Sequence, residues 1–364
     1  SLNFFGGGEV DGGAKDRDPQ PHVCAMRKLS ILLPLSGSSL FWTRFPVLLT
    51  GTGPSRSSVK PASMSSGSTK NDADTTNTPD RWSSQAELYS NQAAKLTELH
   101  GADLVTILKD EILRSETIVD VGCGTGAFVK AYMQQFPKGV PGQTLILSDL
   151  SEGMLQKAQE TVNPPPAFQT KILFQVEDGT KLNGIPDDWV DMVVSLFGVF
   201  LIPDTEATLR AIKRVLKKKK TSGDGVFANA SWMFGVSEYF TSKGFGVSLQ
   251  DAFQLSNQVI VESNDDEKPD FMKWSTPEDV QGLLNDHWSQ VRCFPAIHNT
   301  VWDFGDLWTM MSRNPMSPIP NASDEDKMKA KRALEAFVTQ NGQLSLGEPI
   351  MLSTASVLTI ARGI

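Results

Sequence analysis

Three glycines follow a carboxylate in the run Asp120-Val-Gly-Cys-Gly-Thr-Gly126. Glycine carries no Cβ, so such a run can turn tightly and let a ligand lie against the backbone. A helix starting just beyond it would aim its first amides at the polar end of that ligand. Two further acidic positions look equivalent. Asp149 ends the run Thr144-Leu-Ile-Leu-Ser148 and can accept both hydroxyls of a ribose. Glu177-Asp178-Gly179 ends Lys171–Val176, offering a carboxylate to an adenine amino group and a backbone amide to its ring. Taken alone, Gly122-Cys-Gly124-Thr-Gly126-Ala127 also satisfies the dinucleotide turn. Asp120 separates the two readings, because a carboxylate there repels pyrophosphate and tolerates a cationic, amino-acid-bearing ligand.

The elements that must hold these groups alternate regularly. Thr117–Val121, Thr144–Ser148, Lys171–Val176, Val190–Leu196 and Gly225–Ser231 read as short apolar strands. Between them, Ala127–Gln135, the run from Ser151 and Thr205–Leu216 read as helices. Strands separated by helices imply βαβ units and a parallel sheet covered on both faces. The pattern predicts a doubly wound α/β core. Ahead of it, Trp82–Leu108 and Ala102–Leu113 carry helical spacing. Beyond it, Ser275–Asn285 starts as a capped helix, Gln290–Ala296 and Ser356–Ala361 read as strands, and helices are expected near Asp303–Met311 and Asp324–Gln340. Two inserts, 232–274 and 303–340, are expected near the carboxyl ends of the strands, where ligands bind in this architecture, and could act as a lid.

Ile118-Val-Asp-Val-Gly-Cys-Gly-Thr-Gly126, Ser148-Asp-Leu-Ser-Glu-Gly-Met154, Val176-Glu-Asp-Gly179 and Val193-Val-Ser-Leu-Phe197 resemble the successive motifs of class I S-adenosylmethionine methyltransferases. The resemblance covers roughly residues 85–231. It implies a seven-stranded, mostly parallel sheet with an antiparallel last strand, and S-adenosyl-L-methionine as cofactor. It further implies that Gly122, Gly124 and Gly126 line the methionine and ribose portion, with Asp120 beneath the amino-acid part. Asp149 would grip the ribose, with Leu150 and Met154 near the adenine. Asp178 would meet the adenine amino group and Gly179 the ring; Leu196 and Phe197 would wall the sulfonium side. Tyr89 matches an aromatic that closes over the cofactor.

Methyl transfer from a sulfonium is a direct displacement, so the protein's work is alignment and exclusion of water, and a general base is optional. The chain departs from the Asn-Pro-Pro-Tyr signature after its fourth strand, reading Ser-Leu-Phe-Gly-Val-Phe200 instead. That argues against amino-methylation of DNA or protein glutamine. A small-molecule acceptor is the remaining expectation, with Trp232, Met233, Trp308 and Met311 as candidate substrate contacts and His298 as a candidate base. The structural alternative for these aromatic and Met residues is to pack the lid. Two other functions stay open: a nicotinamide-dependent oxidoreductase, for which Tyr239-Phe-Thr-Ser-Lys243 has the spacing, and a non-catalytic cofactor-binding scaffold.

A net charge of −8 argues against a nucleic-acid-coating protein. Cys24, Cys123 and Cys293 are too scattered for a disulfide framework or a zinc site, and no metal is expected. Residues 1–80 are rich in Gly, Ser, Pro and Thr, and are expected to be disordered ahead of a methyltransferase domain at 81–364. Within them Met26–Lys70 holds six basic residues and no acid, the composition of a transit peptide. The compartment is therefore organellar (mitochondrial-like) if that reading holds, and cytoplasmic if the chain starts at Met64 or the bias is chance. Neither apolar patch in this segment reaches the ~20 residues of a membrane span, so no membrane partner is expected.

Overall fold

The computed structural model describes residues 79–364 apart from 219–224, 244, 261–272, 315–316, 343–344, 346 and 364. The expected N-terminal tail, with its transit-peptide reading, lies outside the described residues except for Pro79 and Asp80. Those two already belong to the first helix, which starts three residues earlier than expected.

Five parallel strands build the core: β1 (Thr117–Val121), β2 (Thr144–Asp149), β3 (Lys171–Val176), β4 (Met192–Leu196) and β5 (Val226–Trp232). Two more are β7 (Gln290–Trp302) and β8 (Ile350–Arg362), with a two-residue β6 (Val247–Ser248) between β5 and β7 in the chain. The order is β3-β2-β1-β4-β5-β8, with β8 antiparallel to β5 and to β7 on its other edge. Seven strands thus follow the expected plan; β6 adds an eighth, pairing with the start of β8. Every residue of β1 and β4 is buried, because a central strand covered by helices on both faces has no wet side.

β7 and β8 run thirteen residues each, far beyond the expected 290–296 and 356–361. The extension was hidden because β8 buries hydroxyls among its apolar residues. Ser353, Thr354, Ser356 and Thr359 are all fully buried, and each finds a partner: Ser353 Oγ donates to Asn299 Oδ1 at 2.6 Å, for instance. Satisfied in this way, polar side chains cost the core little.

Eleven helices among the described residues cover the sheet. α1 (Pro79–Asn91) and α2 (Ala93–Ile107) replace the single expected helix from 82 to 108, breaking at Gln92, and α3 (Lys109–Arg114) follows. α4 (Ala127–Gln135), α5 (Glu152–Thr161) and α6 (Thr205–Val215) are the crossovers. Ser151 Oγ caps α5 by accepting from Met154 N, and Asp204 caps α6. α7 (Ser237–Ser242), α8 (Leu249–Gln258), α9 (Pro277–Asn285), α10 (Phe304–Ser312) and α11 (Asp324–Gly342) complete the chain.

The two inserts join into one apolar cluster. Leu249 and Ala252 of α8 pack with Leu307, Met310 and Met311 of α10 and with Leu334 and Val338 of α11. β8 is antiparallel to β5, so its start, where β6 pairs, lies at the carboxyl end of the parallel strands. The inserts therefore do sit on the ligand side of the sheet.

α1 reaches that side too, and α5 holds it there. Ser83 Oγ lies 2.8 Å from Ser151 Oγ, Gly153 N donates to Ser83 Oγ at 3.2 Å, and Lys157 pairs with Glu87. A Cβ on Gly153 would stand 2.7 Å from Ser83 Cα. Gly153→Leu is therefore expected to lift α1 off α5 while the sheet stays folded. Faster tryptic cleavage after Arg81, with an unchanged thermal midpoint, is the expected result; unchanged cleavage would show that α1 docks by other means.

Candidate active site

The glycine run leaves β1 and enters α4 through three left-handed residues, Gly122, Gly124 and Gly126, at φ 68°, 53° and 84°. An L side chain resists each of these conformations. Gly122 carries a second constraint. A Cβ there would lie 2.9 Å from Gly198 Cα, and one on Gly198 would lie 2.8 Å from the carbonyl oxygens of Val121 and Gly122. The loops after β1 and β4 thus touch backbone to backbone. Ser195 stitches them together: its Oγ donates to Val121 O at 2.7 Å and accepts from Val199 N at 2.8 Å. Phe197, between these contacts, is itself held at φ 62°, a strained conformation for a side chain of its size.

Asp149 is fixed at both oxygens. Oδ2 accepts from Gly124 N and Oδ1 from Ser151 N, each at 2.9 Å. Burial pushes its carboxyl above the usual range, opposed by these backbone amides. The glycine loop is consequently tied to the end of β2.

A single pocket collects most of the expected residues. Gly122, Gly124, Asp149, Leu150, Met154, Asp178, Gly179, Leu196 and Phe197 line it, with Tyr89 of α1 overhead. Gly126 stands just outside, capping α4, where a Cβ would strike Val162 Cγ2 at 2.8 Å. Asp178 is less free than expected. Its Oδ1 accepts from Thr180 N and Oγ1, and its Oδ2 pairs with Lys181 Nζ at 2.7 Å. Despite the burial, these partners hold its carboxyl below the usual range. An adenine amino group would share the carboxylate with Lys181.

Asp120, expected at the cofactor, does not line the pocket; it lies beneath the loop, fully buried, and neither carboxyl oxygen has a hydrogen-bond partner among the described residues. Desolvation, reinforced by the charge of Asp149, pushes it well above the normal carboxylate range. A raised folded-state value favours folding at low pH. That stability is complete below the unfolded pKa of about 3.9 and is lost as pH rises through the folded value. Asp120→Asn removes the dependence, so the wild-type melting temperature should fall relative to the variant as pH rises above the unfolded carboxylate range of about 4. Parallel melting profiles would show that the carboxyl is not desolvated.

The pocket also contains residues that sequence reasoning missed. Pro79 and Trp82 join Tyr89 from α1, and Gly198, Leu201, Ile202 and Pro203 come from the turn after β4. Trp82 meets the Tyr89 ring edge-on at 6.0 Å. Burial raises the Tyr89 hydroxyl to about 12, so it remains a donor. The helical stripe around Tyr89 was visible in the chain; Trp82, seven residues earlier on the same face, was the signal available and unused.

The expected substrate residues do not gather here. Trp232 stands behind the pocket, stacked on Phe197 at 3.8 Å. His100 lies beneath both rings, edge-on at 5.6 Å and 5.4 Å, with Ser356 and Thr354 on its two nitrogens. His298 is one ring further out, 4.6 Å from His100, and pairs with Asp103 Oδ2 at 2.7 Å. It does not line the pocket. Met233 packs against the main core, its amide bound to Ala355 O. Met311 is buried in the insert cluster and Trp308 lines a separate cleft. The reason is topological: α10 packs on α11 and α8, and its aromatic side chains serve that interface. Tyr239 and Lys243 also stand apart from the pocket, which leaves the nicotinamide pair without a site. Among the described residues no group of three or more His, Cys, Asp or Glu is placed to hold a metal.

A family model described as a methyltransferase domain matches residues 119–221. The chain is 30% identical over 138 residues to the ubiquinone/menaquinone biosynthesis C-methyltransferase UbiE of Rickettsia massiliae, covering 36% of this chain. It spans about half, 55%, of the length of that relative, and the same holds for UbiE of Rickettsia rickettsii. Among solved structures, a candidate methyltransferase of Bacillus halodurans overlaps with a TM-score of 0.45 at 18% identity, covering 71% of this chain and 98% of that one. A SAM-dependent methyltransferase of Aquifex aeolicus overlaps with a TM-score of 0.33 at 18% identity, over 55% and 83%. Residues 119–221 thus match a methyltransferase domain, and the strand order is the one expected of the class I S-adenosylmethionine methyltransferases that the motifs resemble.

The residues present fit that cofactor. An orphaned carboxyl beneath a side-chain-free loop suits an ammonium-bearing ligand. Asp149 suits a diol, and the apolar Leu150, Met154 and Ile202 suit a purine.

Proposed function

We propose that this protein binds S-adenosyl-L-methionine in the pocket under α1 and transfers its methyl group to a small-molecule acceptor. The observation that carries the reading is the joint placement of Asp120 and Asp149. One carboxyl is buried without a partner beneath the glycine loop, and the other is pinned by two amides at the pocket edge.

The cofactor supplies a methyl group already activated by its sulfonium. What remains for the chain is orientation and dryness. Asp149 and the glycine loop would hold the ribose and amino-acid ends. Leu196 and Phe197 border the reacting side with apolar surface, and the stacked Trp232 keeps Phe197 in place. Tyr89 and Trp82 close the top against water. The pocket surface left by Leu201 and Pro203 suits an apolar acceptor. The Rickettsia relatives are named for carbon methylation in quinone biosynthesis, so electron-rich aromatic rings are the first acceptor class to screen.

Equilibrium binding of labelled S-adenosylhomocysteine, competed with NAD, tests the cofactor. Binding that NAD does not displace is expected; preference for NAD would overturn the reading. Release of S-adenosylhomocysteine in a screen of phenols, acids, amines and thiols then tests catalysis. Tight cofactor binding with no release from any of these would favour a scaffold.

A further inference from the structure

Trp308, expected as a substrate contact, lines a second cleft that shares no residue with the first. α10, the 3₁₀ turn Ile319–Asn321 and the first half of α11 border an open cleft of about 510 Å³ there. That is within the range of small-molecule sites. Trp308, Pro320 and Met328 supply apolar surface, and Met328 is 54% exposed. Three cations, Arg313, Lys327 and Lys331, also line the cleft, against one carboxylate, Asp324.

The charge balance is unusual for this chain, whose net charge is −8. Nearby acids do not neutralise it. Glu325 and Asp326 are engaged by Lys329, at 3.1 Å and 3.2 Å. Arg313, Lys327 and Lys331 form no ion pair among the described residues; Lys331 Nζ merely overlies the Phe304 ring at 6.0 Å.

We propose that this cleft binds a small anionic molecule with a flat apolar body, of the aromatic carboxylate or sulfonate class. A guanidinium meets a planar carboxylate through paired hydrogen bonds. An indole and a thioether offer surface to a ring. A neutral ligand would leave the cations unanswered, and a cationic one would be repelled. The proposal goes beyond methyl transfer and does not rest on it.

2-Naphthoate titrated calorimetrically into the full chain is the test. Saturable binding is expected. It should weaken at least about tenfold in the double variant Arg313→Gln, Lys331→Gln, and for the uncharged 2-naphthalenemethanol on the wild type. Trp308→Leu should weaken it too. The charge variant alters exposed side chains, and unchanged S-adenosylhomocysteine binding checks its fold. No saturation below about 5 mM, or equal affinity for the acid and the alcohol, overturns the proposal. Binding to phosphatidylglycerol vesicles, absent with phosphatidylcholine and without any binding of free naphthoate, also overturns it in favour of a lipid surface.

Discussion

Asp149→Ala is expected to weaken S-adenosylhomocysteine binding by about tenfold to a hundredfold, because a hydrogen bond to a charged group contributes roughly 1.5–3 kcal/mol. The structure adds a second route to the same loss. Asp149 also accepts from Gly124 N and Ser151 N, so its removal frees the glycine loop and the start of α5 together. Asp149→Asn separates the two contributions. The amide keeps one acceptor oxygen, which preserves part of the loop geometry, but loses the charge and one ribose acceptor. Titration calorimetry should place Asn between wild type and Ala. Unchanged affinity in a folded Asp149→Ala protein would remove the residue from the site.

Gly198→Ala is expected to abolish measurable cofactor binding and to cost about 1–3 kcal/mol of stability. Gly198 has an ordinary φ of −102°, so the penalty is steric and owes nothing to backbone strain. The new Cβ would press on two carbonyl oxygens at 2.8 Å, and backbone cannot swing aside as a side chain can. Relief requires the loops after β1 and β4 to part, which also breaks the Ser195 bridge from Val121 O to Val199 N. Gly142→Ala makes a useful comparison, since nothing lies within 4 Å of its Cβ position despite a φ of +76°. Strain alone should cost it about 1–2 kcal/mol and leave binding intact. Equal binding by wild type and Gly198→Ala would show that the loops are not rigidly joined.

The glycine-loop side of the pocket was legible because its determinants are local. Asp120, Gly122, Asp149 and Asp178 each stand at the end of a strand, and the parallel sheet brings strand ends to one edge by construction. Counting from apolar run to acid was enough. The substrate side follows no such rule. Trp308 and His298 were selected by residue type, and their neighbours are set by how α10, β7 and α2 pack across nearly two hundred residues of chain. His298 found Asp103, and Trp308 found α11.

The antiparallel last strand came from the family resemblance; by itself, the amino-acid sequence determined the glycine turn, its flanking acids and the parallel core. These depend on residue type, on spacing along one or two elements and on the handedness of crossovers. Only the tertiary structure decided that α1 covers the pocket, that Gly198 lies against Gly122, and that Asp120 is left without a partner. It also separated the aromatic residues of the inserts from the pocket. Each of these is a contact between segments far apart in the chain, and such contacts are selected by packing and burial, which leave no period in the sequence to read.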